Sequence, residues 1–95
     1  MVYNNVILRA IEASDIDELK RLLTTQAEVS LTEPGCERCE VYHSEAEPEI
    51  FLLIEWWATQ EDLDAHRATS YFVSVYRPRV MPLVERFPHP CQRLI

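Results

Sequence analysis

Residues 33 to 72 read Glu33-Pro34-Gly35-Cys36-Glu37-Arg38-Cys39-Glu40-Val41-Tyr42-His43-Ser44, then Glu45-Ala46-Glu47-Pro48, then Glu49-Ile50-Phe51-Leu52-Leu53-Ile54-Glu55-Trp56-Trp57, and then Ala58-Thr59-Gln60-Glu61-Asp62-Leu63-Asp64-Ala65-His66-Arg67-Ala68-Thr69-Ser70-Tyr71-Phe72. Pro34-Gly35 ends a helical segment. Two strands follow, Arg38–Ser44 and Glu49–Trp57, joined by the polar loop Glu45–Pro48 as a hairpin. Thr59, with Asp62 three positions on, starts a short second helix. His66 lies on that helix three residues after Leu63, so both side chains share the face that meets the sheet.

The strand ending at Trp57 carries the strongest physical signal. Phe51, Leu53 and Trp57 fall on one face, Leu52, Ile54 and Trp56 on the other, and only Glu55 interrupts. A small antiparallel sheet normally turns one polar face to water, whereas here both faces require burial. Helices cover one face only. Burying a large apolar side chain is worth ~1.5–3 kcal/mol, and a second copy of the chain is the simplest cover for the other face. An obligate homodimer is therefore expected, with Trp56 in its interface.

Working outward, Asn5–Ala13 carries Val6, Leu8 and Ala10 on one side and Ile7 and Ile11 on the other, which predicts a strand buried on both faces. Ser14 is the expected cap of a first helix from Asp15, in which Ile16, Leu19, Leu22, Leu23 and Ala27 follow helical spacing and Ser14 with Asp17 approximates a capping box. Beyond residue 69, Ser70 is expected to cap a helix with Phe72, Val75, Tyr76, Val80, Leu83 and Val84 as its apolar stripe. Pro78 and Pro82 predict a kink or two shorter helices there. Cys91–Ile95 is expected as a terminal strand whose preceding prolines, Pro88 and Pro90, confine it to an edge or a strand start.

Ninety-five residues make one domain, 1–95, and a chain this short buries only roughly 60–65% of the surface its unfolded form exposes. Sixteen acidic against nine basic residues give a net charge of -7 with no basic stripe, which argues against a nucleic-acid partner. The absence of a long apolar run or a charged-then-apolar leader predicts a protein with no membrane span, in the cytoplasm. Three cysteines without a secretory context are expected as reduced thiols. The single glycine leaves no room for a phosphate-cradling loop or a flavin fingerprint, so no nucleotide held by such a motif is expected. Cys36-x-x-Cys39 opens a strand and precedes no helix, and a zinc site would need four ligands, so neither a redox pair nor a metal is expected.

Among candidate functional side chains, His66 can take or donate a proton near neutrality, or serve as a helix-terminal histidine bonded to a carbonyl or to Glu55. Trp57, at a strand end near His66, can stack on a planar ring or be core. Asn5 can hold a substrate oxygen or satisfy an edge backbone group. Tyr76 offers a phenol near the pocket mouth, and Phe72, Leu53 and Glu55 are expected to line the same pocket.

Written as patterns, the chain shows E-P-G-C-x-R-x-E-V, F-x-L-x-E-x-W and E-x-L-x-A-H-x-x-T-x-x-F. Their order and spacing resemble the antibiotic biosynthesis monooxygenase family of small dimeric α+β barrel proteins. The resemblance implies an α+β ferredoxin-like sandwich with a four-stranded antiparallel sheet, dimerising into an α+β barrel. It also implies oxygenation without a prosthetic group: a deprotonated quinol or polyphenol gives an electron to O2, His66 handles the proton, Trp57 stacks on the ring, and Asn5 or Tyr76 holds its oxygen. In the heme-degrading branch a histidine on the third helix holds iron, and Tyr76 takes that place here. The same fold leaves open a non-oxygenase enzyme of isomerase type or a dimeric small-molecule-binding protein.

Overall fold

Backbone pairing in the computed structural model, which describes residues 1–95, builds one antiparallel sheet in the order β2-β3-β1-β4. The strands are β1 (Val2–Ala10), β2 (Cys36–His43), β3 (Ile50–Trp57) and β4 (Val84–Cys91). Helix α1 (Ile16–Ser30), helix α2 (Gln60–Arg67) and a π-helix (Phe72–Val80) complete the ferredoxin-like α+β arrangement. The helices supply Leu19, Leu22, Leu23, Phe72, Tyr76 and Val80 to a core whose sheet side is Val6, Leu8, Ala10, Phe51, Leu53 and Val84.

β3 divides its side chains as expected. Phe51, Leu53 and Trp57 are buried against the helices, whereas Leu52 on the opposite face is 37% exposed. β1 departs from the expectation in both extent and burial. It spans Val2–Ala10 rather than Asn5–Ala13, because its ladder runs from Val2 opposite Trp57 to Arg9 opposite Ile50. Past Ala10 the chain leaves the sheet, as the Ile11 N–H bonds the Leu83 carbonyl and Ala13–Asp15 winds into a 3-10 turn. Its second face is not buried within one chain: Ile7 is exposed where Val6 and Leu8 are sealed.

Ser14 sits inside that 3-10 turn and does not cap α1; Asp15 holds the cap position without a side-chain bond. Asp17 and Glu18 still place negative charge at the helix start, where the macrodipole favours it. α1 ends at Ser30, four residues before Pro34, its last carbonyls met by the Leu31 and Thr32 N–H groups. Gly35 instead forms the turn into β2 with φ +79, the only positive φ in the chain. Its carbonyl accepts from the Ala58 N–H at 2.8 Å, and a Cβ there would collide with the Asp62 carboxylate. β2 begins at Cys36, and a bulge between Cys36 and Arg38 brings Cys36 and Cys39 to the same helix-facing side, opposite Trp57 and Glu55.

At α2 the expected cap is present, with the Thr59 hydroxyl accepting from the Asp62 N–H at 3.2 Å. The third helix is capped by Thr69, not Ser70, through the Phe72 N–H at 3.2 Å. It winds as a π-helix because Pro78 lacks a donor and would strike the carbonyl four residues back in an α-helix. Pro82 then lies in a 3-10 turn, Met81–Leu83. The terminal strand is Val84–Cys91 and not Cys91–Ile95, and it contains both prolines. β4 is an edge strand, and Pro88 and Pro90, two residues apart, turn their missing N–H groups to the same open side.

Gly35→Ala is expected to lower stability by about 1–3 kcal/mol, since it combines a left-handed backbone with a clash against α2. Urea denaturation reads this directly, and an unchanged midpoint would show that the turn relaxes freely.

Candidate functional site

Between α1, α2, the π-helix and the sheet lies a recess of about 420 Å³ counted out to its mouth, of which about 20 Å³ is enclosed. That enclosed space matches one water molecule. α1 contributes Gln26, Ala27 and Ser30; the strands contribute Asn4, Cys39, Val41, Leu53, Glu55 and Arg86; α2 and the π-helix contribute His66, Arg67, Phe72 and Tyr76.

His66 is 5% exposed, and its Nδ1 lies 2.6 Å from Glu33 Oε1. A carboxylate can only accept, so Nδ1 carries the proton and Nε2 is left as the basic atom of the ring. Trp57 backs the imidazole at 4.7 Å between centroids, and Phe72 meets it edge-on at 5.3 Å. The ring is thus held on two sides and oriented by the loop that precedes β2.

Across the recess, the Tyr76 hydroxyl accepts from Arg86 Nε–H at 3.0 Å and remains free to donate its own proton. Burial pushes the Tyr76 phenol above its usual value, with Arg86 opposing and Glu55 adding to the shift, so the phenol stays protonated as a donor. Glu55, 8% exposed, accepts from the Trp57 indole N–H at 3.0 Å. Gln26 is 7% exposed, and its Oε1 is buried without a partner. Burial, with Glu33 and Glu55 nearby, drives the Cys36 thiol up to about 11; burial, Glu55 and Cys36 drive Cys39 to about 12. Neither thiol is ionised near neutrality. No three His, Cys, Asp or Glu side chains converge in metal-ligating geometry.

Of the residues singled out from sequence, His66, Tyr76, Phe72, Leu53 and Glu55 meet around this recess. Trp57 does not line it. Fully buried behind His66, it stacks on the histidine and bonds Glu55, which leaves no ring face for a ligand. Asn5 is on the wrong face: strand alternation sends it to the open side, where its amide N–H approaches Cys91 Sγ at 3.4 Å, and Asn4, 4% exposed, lines the recess instead. Glu33, Gln26 and Arg86 were not among the candidates. Gln26 had a readable signal, since it follows Leu19, Leu22 and Leu23 on the buried stripe of α1. Glu33 and Arg86 had none, because their partners lie 33 and 10 residues away across the fold.

The family model for antibiotic biosynthesis monooxygenases matches residues 1–77. The chain belongs to that family. The match covers β1 through α2 and stops one residue before Pro78. Solved structures superpose closely: a Bacteroides thetaiotaomicron protein of unknown function is 23% identical, with a TM-score of 0.87 over 95% of this chain and 94% of that one. A Nitrosomonas europaea candidate antibiotic biosynthesis monooxygenase is 23% identical, with a TM-score of 0.86 over 98% and 90%. A Deinococcus radiodurans candidate of the same description is 22% identical, with a TM-score of 0.83 over 100% and 96%. These likenesses establish the fold. The uncharacterized protein sll1783 of Synechocystis is 39% identical over 56 residues, which are 59% of this chain and 38% of that longer protein.

At pH 8 a disulfide reagent is expected to modify the exposed Cys91 quickly and the half-buried, protonated Cys36 and Cys39 much more slowly, so Cys91→Ser should remove the fast phase. Both half-buried thiols, Cys36 and Cys39, hold their protons more tightly folded than at their ordinary value of 9.0. Their contribution to stability is therefore complete below about pH 9 and lost as pH rises toward 11 and 12. A melting temperature that falls above pH 9 equally in the wild type and in Cys36→Ala/Cys39→Ala would contradict this.

Proposed function

We propose that this protein is a cofactor-independent monooxygenase acting on a phenol or quinol, as a homodimer in the cytoplasm. The observation that carries the reading is that His66, bonded to Glu33, and Tyr76, bonded to Arg86, line the same recess. One pair supplies a base and the other holds an oxyanion, which is what deprotonation of a phenol requires. Family membership favours oxygenation as the consequence of that deprotonation.

His66 Nε2 removes the hydroxyl proton, and Glu33 stabilises the imidazolium that forms. Tyr76, polarised by Arg86, donates to the ring oxygen as negative charge develops. The electron-rich anion reduces O2, a carbon–oxygen bond forms on the ring, and His66 returns its proton to the outer peroxide oxygen. Cleavage of the oxygen–oxygen bond then releases water and leaves a carbonyl. With hydroquinone the products are hydroxybenzoquinone and water, the four electrons taken up by O2 all coming from the ring. The chain's work is orientation, proton transfer and exclusion of water. The enclosed part of the recess, about 20 Å³, has room for one hydroxyl or water, so the ring itself lies toward the mouth.

The dimer reading rests on the sheet face away from the helices, where Ile7, Tyr42, Leu52 and Phe87 are exposed beside the half-buried Ile54 and Trp56. The cytoplasmic reading rests on three unpaired thiols, which suit a reducing compartment. No helix is long and apolar enough to cross a membrane.

Metal-stripped protein is expected to consume oxygen with hydroquinone above the rate of autoxidation, and His66→Ala to lower the rate by about 10²–10⁴-fold. Uptake unchanged in His66→Ala would refute the base assignment. Turnover without oxygen consumption would reassign the dyad to an isomerase, and ligand binding without turnover to a binding protein. In sedimentation velocity at micromolar concentration the wild type is expected to run as a dimer and Leu52→Glu to run smaller; a folded wild-type monomer would defeat the interface.

A further inference from the structure

We infer that Gln26 selects the substrate by accepting a hydrogen bond from a second hydroxyl on the ring, so that the recess is built for dihydric phenols rather than monophenols or their ethers. This rests on the phenol reading of the same site and deepens it. Gln26 occupies a position where α1 otherwise buries leucine: Leu19, Leu22 and Leu23 precede it on the same stripe. An apolar residue there would pack without penalty, whereas the Gln26 Oε1 is buried with no donor. That acceptor lines the water-sized space, so whatever group enters the space must supply it with a donor.

The enclosed space of about 20 Å³ has Gln26 in its wall, and a ligand that fills it must return a donor to Oε1 or lose affinity. The surrounding groups divide the labour. Tyr76 and Arg86 come from the π-helix and β4 and offer donors, which suit the oxygen that becomes an anion. Gln26 comes from α1 and offers an acceptor, which suits a hydroxyl that keeps its proton. A ring bearing both oxygens satisfies both walls. A ring whose second oxygen is methylated presents no donor to Gln26.

Anaerobic titration calorimetry with hydroquinone and its monomethyl ether, 4-methoxyphenol, tests this without turnover. The wild type is expected to bind hydroquinone roughly 10- to 100-fold more tightly than the ether, the worth of one buried hydrogen bond. Gln26→Met is expected to bring the two affinities together while melting at or above the wild-type temperature. Gln26→Glu, which keeps an acceptor, is expected to retain the preference and serves as the second variant should Gln26→Met fold poorly. Equal wild-type affinities, or a preference that survives in Gln26→Met, would overturn the role of Gln26 while leaving the phenol reading intact. A wild type that binds neither probe would overturn both.

Discussion

The hydrogen bond between Glu33 and His66 joins a loop to a helix that local sequence cannot connect. Glu33 lies after α1 and His66 near the end of α2, and their 2.6 Å contact fixes the entry to β2 against the helix that follows β3. Gly35, two residues on, reinforces the junction through its carbonyl bond to Ala58 and its close approach to Asp62. Because His66 is buried and Glu33 is largely shielded, the bond forms where little water competes for it. The orientation of the imidazole, the packing of Trp57 and Phe72 around it, and the closure of one side of the recess all follow from that junction.

Around it the protein keeps an unusual share of polar groups inside a small core. Asn4, Gln26, Ser30, Glu55 and His66 are all buried, and all five stand in the wall of one recess. A chain of this length has little hydrophobic surplus with which to carry them. Their concentration in one place, with the rest of the core apolar, separates the part of the molecule that maintains the fold from the part that meets a ligand.

Most of the fold was legible because its signals are local and periodic. Alternation along Phe51–Trp57 and the Thr59–Asp62 cap are properties of neighbours in sequence, and both survive in the structure. The strand limits at β1 and β4 were not legible. Strand ends are decided by what lies opposite, and Val2 pairs with Trp57 while Cys91 pairs with Tyr3. The site was half legible for a related reason. His66 and Tyr76 announced themselves by residue type and helix position, whereas Asn4, which shares the face of Val6, Leu8 and Ala10, fell outside a strand taken to start at Asn5. Glu33 looked like part of a helix stop because its role appears only when α2 folds back on it.

Pro88 and Pro90 bear on how copies of the chain can meet. A sheet extends without limit when one edge of a molecule joins the opposite edge of the next, as fibres do. With two donors missing along its outer side, β4 cannot serve as the receiving edge. The remaining edge, β2, could pair only with another β2, and such a contact closes on itself after two copies. The prolines near the end of this sequence thus act beyond their own strand: they remove the head-to-tail joining of β4 to β2 by which one continuous sheet would run through copy after copy.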